Sequence, residues 1–163
     1  MPHEPFLPML RELARCYQAF EAYSASHIRG LDLTPAQFDI VATLGNTPGM
    51  SFKELGEKTL ITKGTLTGVV DRLEAQRLVR RSASAEDGRS MIVSLTPAGE
   101  RLFGRAFAAH LGHLRLALSG LSAAQLQRFE TTLRSLRGAF ESAPAAEPSP
   151  TVAGRSKTRR PGE

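Results

Sequence analysis

The sequence predicts a mainly α-helical protein that carries one small β-hairpin. Three observations predict this fold class. Apolar residues recur every three or four positions over most of residues 6–141, which is the period of an amphipathic helix. Several of these segments begin with a serine or threonine that can cap a helix. Between residues 79 and 96 the pattern changes to short β-branched or alternating runs around an Asp-Gly pair, which is typical of a hairpin.

The first two helices are predicted from apolar spacing and from a capping signal. The apolar stripe of the first helix consists of Phe6, Leu10, Leu13, Tyr17 and Phe20. In the second helix, Thr34 is the predicted N-cap, Pro35 takes the first helical position and Gln37 completes a capping box. The apolar face of this second helix consists of Phe38, Val41 and Leu44. The sequence NTPG at residues 46–49 is predicted to end it.

A short helix and a longer one follow, with a tight turn at residues 60–61 between them. Ser51 is the predicted cap of the short helix, Glu54 completes its capping box, and the helix is predicted to stop near Thr59. Thr62 is the predicted cap of the longer helix. The inner face of the longer helix consists of Leu66, Val69, Val70 and Leu73.

Two long helices follow the hairpin. The fifth begins after Thr96, and the apolar residues along one side of it are Phe103, Phe107, Leu111, Leu114 and Leu118. The sixth is capped by Ser122, with Gln125 completing a capping box. Its apolar residues are Leu126, Phe129, Leu133, Leu136 and Phe140. Their steps of three and four form a two-position heptad seam, which favours packing against a partner helix.

A short helix, a tight turn, a second helix and a hairpin in this order make a winged helix-turn-helix. In that motif the start of the second helix lies in the major groove of DNA, and here it reads TKGTLTG. The residues that could contact DNA are Thr62, Lys63, Gly64, Thr65, Thr67 and Gly68. Two glycines inside a helix cost about 1 kcal/mol each relative to alanine. Close approach to DNA would account for them, and tight packing against the short helix is the alternative.

The hairpin tip reads Asp87-Gly88-Arg89. An arginine on a protruding tip can enter the minor groove, where narrow A·T-rich segments concentrate negative potential. We therefore expect Arg89 to enter that groove and Asp87 to hold its guanidinium in position. Arg80 and Arg81, on the first strand, could contact phosphates. The alternative is a surface turn with a solvated arginine.

The stretches ITKGTLTGVVDRLEAQRLVRR and EDGRSMIVSLTPAGE resemble the MarR family of bacterial transcription regulators. The resemblance covers roughly residues 31–102 by motif and residues 6–141 by order of elements. It implies a homodimeric regulator, most often a repressor, that dimerises through the first, fifth and sixth helices and binds a pseudopalindromic site. The DNA-facing residues it implies are Thr62, Lys63, Gly64, Thr65, Thr67, Arg72 and Arg89, with Asp87 supporting the last. The family usually has glycine where this chain has Arg77.

Members of this family often lose DNA affinity on binding a small anionic or phenolic molecule, or on oxidation of a cysteine. Family analogy places a pocket near Tyr23, His27 and Phe38. Cys16 is the one cysteine, so a redox-sensing repressor is an alternative, and a small core residue is the ordinary interpretation of a lone cysteine. No metal site is predicted, since His110 and His113 lack further ligands that can be placed.

The composition narrows the class of protein. The net charge of +5 fits attraction to a polyanion. No apolar run approaches the roughly 20 residues of a membrane helix, and no secretory signal is visible, so a cytoplasmic location is expected. No paired carboxylates, phosphate loop or nucleophile motif suggests an enzyme or a cofactor site. A winged helix that binds another protein is the remaining alternative.

The expected domain organisation is a single regulator domain followed by a tail. Residues 1–142 form the domain, with a DNA-binding core at about 34–100 and dimerisation helices at about 6–28 and 97–141. Residues 143–163 are rich in Pro, Ala, Ser and Gly and are basic. Such a segment cannot bury enough apolar surface to offset ordering, so the tail is predicted to be disordered.

Overall fold

The computed structural model describes residues 4–84 and 90–144. The elements in chain order are α1 (Leu7–Arg29), α2 (Pro35–Leu44), β1 (Met50–Ser51), α3 (Phe52–Lys58), α4 (Lys63–Ala75), β2 (Val79–Ala83), β3 (Met91–Leu95), α5 (Pro97–Leu118) and α6 (Ala123–Glu141). The predicted fold class is confirmed, because α3, α4 and the β2–β3 hairpin follow one another as a winged helix-turn-helix. None of the helices in the described ranges is both long enough and apolar enough to cross a membrane.

Side-chain caps define the starts of most helices, as predicted. Full capping boxes begin α2, α3 and α6, with Thr34, Ser51 and Ser122 as the N-cap residues. Thr96 caps α5 by accepting a hydrogen bond of 3.1 Å from the Gly99 backbone N–H. The cap of α4 differs from the prediction. Thr62 occupies its N-cap position, but its side chain makes no capping hydrogen bond.

The hairpin is part of a three-stranded antiparallel sheet in the order β1-β3-β2. Val79 pairs with Leu95 at the base of the hairpin, and Ala83 pairs with Met91 toward its tip. β1 adds a short third strand, with Met50 opposite Val93. The sequence did not predict β1, because two residues are too few to show an alternating pattern.

The main core lies where α2, α3 and α4 pack against the sheet and α5. The predicted inner face of α4 is confirmed, since its four apolar side chains are at most 3% exposed. They pack with Ile40 and Leu44 of α2, Leu55 of α3 and Val93 of β3. Burying side chains of this size contributes roughly 1.5–3 kcal/mol each. This packing fixes α4 relative to the hairpin and leaves its opposite face toward solvent.

A Schellman motif ends α4 and sets the start of the hairpin. The Leu78 N–H donates to the Leu73 carbonyl at 2.9 Å, and the Arg77 N–H donates to the Glu74 carbonyl at 2.8 Å. Arg77 has a φ of 58°, so an arginine takes the left-handed position that glycine usually fills. A non-glycine residue there costs about 1–2 kcal/mol. The core contacts on both sides of the turn offset that cost.

The chain divides into two compact units between Ser119 and Gly120. Within the first unit, α1 leaves much of its predicted apolar stripe exposed, including Phe6, Tyr17 and Phe20 at nearly half of their surface. In the second unit, no residue of α6 is buried. Four of its five seam residues, Leu126, Phe129, Leu133 and Phe140, are 40–57% exposed. Both helices therefore display apolar side chains that a single chain leaves in solvent.

Candidate nucleic-acid interface and ligand cavity

The start of α4 displays small polar side chains on the surface of the first unit. Thr62, Thr65 and Thr67 are exposed there, as are Gly64 and Gly68. The hydroxyls of Thr62 and Thr65 lie 3.1 Å apart. The N-terminal amides of a helix also favour an anion such as a phosphate. Lys63, a further predicted contact, is the first residue of α4.

Packing within the described chain does not explain why two positions of α4 are glycine. A Cβ atom built on Gly64 or on Gly68 meets no atom within 4 Å. The alternative of tight packing against α3 is therefore wrong. Alanine at either position would fit the fold and favour the helix by about 1 kcal/mol. The lack of side chains at Gly64 and Gly68 is therefore explained by something other than packing within the first unit.

Arg72 extends the same surface by one helical turn. Residues 64, 68 and 72 are spaced by four and share one face of α4. The Arg72 side chain is exposed, and it forms no ion pair with any residue in the described ranges. Its guanidinium is thus available to an anion that approaches this face.

The Arg81 side chain does not take the phosphate-contacting position that was expected from the sequence. Its guanidinium donates to the carboxylates of Glu74 at 2.6 Å and Asp71 at 2.5 Å. It also lies 5.3 Å above the ring of Phe52. These contacts tie β2 to α4 and α3, so Arg81 braces the helix instead of projecting toward phosphates. Arg80 is exposed and donates from Nε to the Ser94 hydroxyl at 3.1 Å.

The tip of the hairpin falls outside the described residues. The last described contact before it is the hydrogen bond from the Ser84 N–H to the Ser90 carbonyl, at 2.8 Å. Asp87 and Arg89 both belong to residues 85–89, which the structure does not describe. Their roles stay predictions from the sequence.

A cavity of about 510 Å³ lies between α1, α2, α5 and the turn that joins α3 to α4. Of the three residues expected near a pocket, Phe38 lines this cavity, and Tyr23 and His27 lie beside it without lining it. Their rings stack instead on His113 of α5, at centroid distances of 4.0 and 4.4 Å. The Tyr23 hydroxyl also donates to the His113 carbonyl at 2.9 Å.

Two polar groups in the cavity wall were missed by the sequence analysis. His110 is buried, and its Nε2 lies 3.1 Å from the Ser24 hydroxyl. Burial, with the nearby His27 and His113, lowers the pKa of His110. Asp39 accepts a hydrogen bond from the Leu60 N–H at 2.8 Å. Burial raises the pKa of this carboxyl, and the hydrogen bond partly opposes the shift.

The cavity also reaches the start of α4. Thr62 and Thr65 line it, together with Leu60 and Ile61 of the preceding turn. The same two threonines are exposed on the candidate nucleic-acid surface. A molecule in the cavity would therefore contact the residues that orient the start of α4.

The remaining candidate residues occupy other positions. Cys16 is exposed on α1 and does not line the cavity, so its interpretation as a core residue is wrong. The rings of His27, His110 and His113 lie near one another. Across residues 4–84 and 90–144, no group of three or more His, Cys, Asp or Glu side chains has an arrangement that could hold a metal ion.

Comparison with known proteins finds similar sequences and structures among transcription regulators. The sequence pattern of the MarR family matches residues 31–90. The transcriptional regulator YfiV of Bacillus subtilis is 33% identical over 115 residues, covering 69% of this chain and 71% of that protein. The homoprotocatechuate degradative operon repressor of Escherichia coli is 33% identical over 94 residues, covering 58% of this chain and 64% of that protein. The structure of Bordetella bronchiseptica BpsR, whose DNA binding is regulated by 6-hydroxynicotinic acid, has a TM-score of 0.73 at 27% identity, covering 84% of this chain and 98% of that one.

Proposed function

This chain belongs to the MarR family of transcription regulators, and on that premise we propose that it is a homodimeric repressor. It binds a pseudopalindromic operator and is released from it by a small molecule. The observation that carries this proposal is the surface of α4, where two exposed glycines have no packing role. A similar protein is a repressor, and the DNA binding of another responds to a small aromatic acid.

The DNA contacts that we propose centre on the first two turns of α4. Threonine hydroxyls can donate to phosphates or base edges, and the missing side chains at Gly64 and Gly68 let the backbone approach DNA closely. Lys63 and Arg72 add positive charge at the two ends of this surface. Arg89, supported by Asp87, completes the proposed contacts in the minor groove.

Dimerisation accounts for the exposed apolar side chains of α6 and for those of α1 that lie outside the cavity, such as Phe6. A soluble chain seldom leaves so many large apolar residues in solvent unless a partner covers them. A second copy of this chain is the proposed partner, with α5 contributing as well. A two-fold symmetric dimer presents two copies of α4, which match an operator of the same symmetry.

The cavity is the proposed effector site. It lies beside Thr62 and Thr65, so a ligand bound there acts directly on the start of α4. Redox control through Cys16 is less favoured, because that side chain lies outside the cavity that contacts the start of α4. A winged helix that binds another protein is also less favoured, because such a role does not explain the two exposed glycines, Gly64 and Gly68, on the surface of α4.

The proposed domain organisation keeps the limits expected from the sequence. Residues 1–142 act as one regulator domain, with a DNA-binding core at about 34–100. Residues 143–163 form a basic tail that adds nonspecific attraction to DNA. The protein acts in the cytoplasm, where its operator is found, and it has no enzymatic activity.

Equilibrium binding to DNA tests this function. Sequences selected by the purified full chain from a random DNA pool should contain an inverted repeat with half-sites about 10 base pairs apart. Affinity for the selected DNA should fall steeply with salt, since phosphate contacts release counterions. Selection without enrichment, or binding that does not depend on salt, would contradict the proposal. A helix-turn-helix that docks a protein partner would give selection without enrichment.

A further inference from the structure

The charged groups around the cavity are of one sign. Among the side chains that the structure describes, which exclude that of Lys63, Glu21 and Asp39 line it and no lysine or arginine does so. His110 also lines the cavity, but burial favours its neutral form. From these described side chains, an anion in the cavity would meet two carboxylates and no fixed positive charge. A cation would be attracted by both carboxylates.

Asp39 is the carboxylate placed to pair with such a cation. It is partly buried on α2, and its Oδ2 accepts the Leu60 N–H. Its other oxygen, Oδ1, accepts no hydrogen bond from any residue in the described ranges, and it is not enclosed away from solvent. A partly desolvated carboxylate with a free oxygen attracts a cation more strongly than one in bulk water.

The rest of the cavity wall suits an aromatic ring. Tyr17 and Phe20 of α1, Phe38 of α2 and Phe107 of α5 all line it. Aromatic side chains contact a ring in stacked or edge-to-face arrangements, and they also attract a cation over their faces. A cavity of about 510 Å³ lies within the size range of small-molecule sites.

We infer that this cavity binds an aromatic molecule that carries a protonated amine, with the Asp39 carboxylate as the counter-ion of that amine. This inference rests on the proposed function, because it names the class of effector for the same cavity. An aromatic acid would instead place its carboxylate among like charges. The amine is the distinguishing group, since the aromatic wall would accept either ring equally well.

The hydrogen bond between Asp39 and Leu60 supplies a route to α4. Leu60 belongs to the turn between α3 and α4, two residues before the start of the candidate nucleic-acid surface. A ligand amine that binds the Asp39 carboxylate competes with the Leu60 N–H for its negative charge. The turn is then less firmly held, and the start of α4 loses the position that it needs on DNA.

Three naphthalene probes of matched size test the charge preference: 2-naphthylmethylamine, 2-naphthylmethanol and 2-naphthoate. The sequence has no tryptophan, so naphthalene fluorescence reports binding to the full chain with little interference. The amine should bind tightest and the acid weakest, with at least a roughly tenfold difference between them. Equal affinities, tighter binding of the acid, or no binding of any probe would overturn the inference.

Asp39→Asn tests the role of the carboxylate. The amide oxygen can still accept a hydrogen bond, but the charge is removed, so affinity for the amine should fall by about tenfold while affinity for the alcohol is retained. The matched control is Asp32→Asn, since Asp32 is exposed, lies outside the cavity and has a φ of 58° that asparagine also tolerates. A loss of amine affinity in the control, or none in Asp39→Asn, would overturn the assignment. The probe comparison on the unchanged protein stands even if the variant is unstable.

DNA binding of the same preparations separates this inference from the proposed function. The amine should weaken binding to the selected DNA, and the acid at the same concentration should not. A chain that selects no DNA yet prefers the amine would contradict the proposed function alone. A chain that binds its operator but is released by the acid, or that prefers the acid, would contradict the inference alone.

Discussion

Arg81 of β2 donates a hydrogen bond of 2.6 Å to the Glu74 carboxylate of α4, and this pair joins the hairpin to the proposed recognition helix. The Arg81 side chain is only 22% exposed, so its charge is partly removed from solvent. The pair is therefore screened less than a surface ion pair. It holds the hairpin and α4 in one arrangement, which the proposed contacts in two DNA grooves require.

Arg81→Met keeps much of the side-chain volume and removes the charge. We expect the free energy of unfolding to fall by about 1 kcal/mol, since Glu74 and Asp71 lose the guanidinium and Glu74 keeps only the backbone N–H of residue 81 as a donor. Chemical denaturation measures this change. Arg15→Met is the control, because Arg15 and Glu12 form an exposed pair at 3.8 Å that should contribute a few tenths of a kcal/mol at most. Equal losses in the two variants would mean that Arg81 is not a brace.

Leu133→Asp places a charge in the exposed seam of α6. Leu133 is 54% exposed in the single chain, so the substitution should leave the fold of one chain intact. It should disrupt a dimer that buries this seam, and with it operator binding. Sedimentation velocity and gel shift measure the two effects. A variant that remains a dimer would show that α6 does not form the dimer interface.

Arg89→Ala tests the hairpin tip, which lies outside the described residues. We expect weaker binding to DNA, with the larger loss on operators with A·T-rich flanks, where the minor groove is narrow. Binding to matched DNA with G·C-rich flanks is the comparison. The same affinity as the unchanged protein on both DNAs would remove Arg89 from the mechanism.

The buried His110 makes stability depend on pH. Burial lowers its pKa below the ordinary value of 6.5, so the unfolded chain binds a proton more readily than the folded chain does. Stability is therefore retained above pH 6.5 and falls as the pH decreases through the folded pKa. The nearby His27 and His113 also contribute to lowering the pKa of His110. Thermal melts at pH 7.5 and 5.5 should show a smaller pH effect in His110→Gln, and an equal effect would refute this account.

Local signals explain why most of the fold could be predicted from the sequence. Capping boxes at Thr34, Ser51 and Ser122 depend on residues three positions apart, and so they are visible in the sequence alone. The inner face of α4 is local in the same way. The sequence left the backbone of Arg77 open, because an arginine in place of the family's usual glycine could take the left-handed position at a cost or the helix could end differently.

The cavity could not be predicted in the same way. The approach of Ser24 to His110 joins residues 86 positions apart, and the hydrogen bond between Asp39 and Leu60 joins α2 to the turn between α3 and α4. Neither leaves a periodic signal. Family analogy chose Phe38, which lines the cavity, together with Tyr23 and His27, whose rings pack against α5.

The most direct test of the central claim compares the operator affinity of Gly68→Ala with that of Gly104→Ala. Both glycines lie inside helices, and a Cβ on either meets no atom within 4 Å. Both variants should therefore gain about 1 kcal/mol of stability. If the surface of α4 approaches DNA closely, Gly68→Ala should bind the operator more weakly although it is more stable, and Gly104→Ala should bind it as the unchanged protein does. Unchanged operator affinity in Gly68→Ala would contradict the claim that this surface contacts DNA.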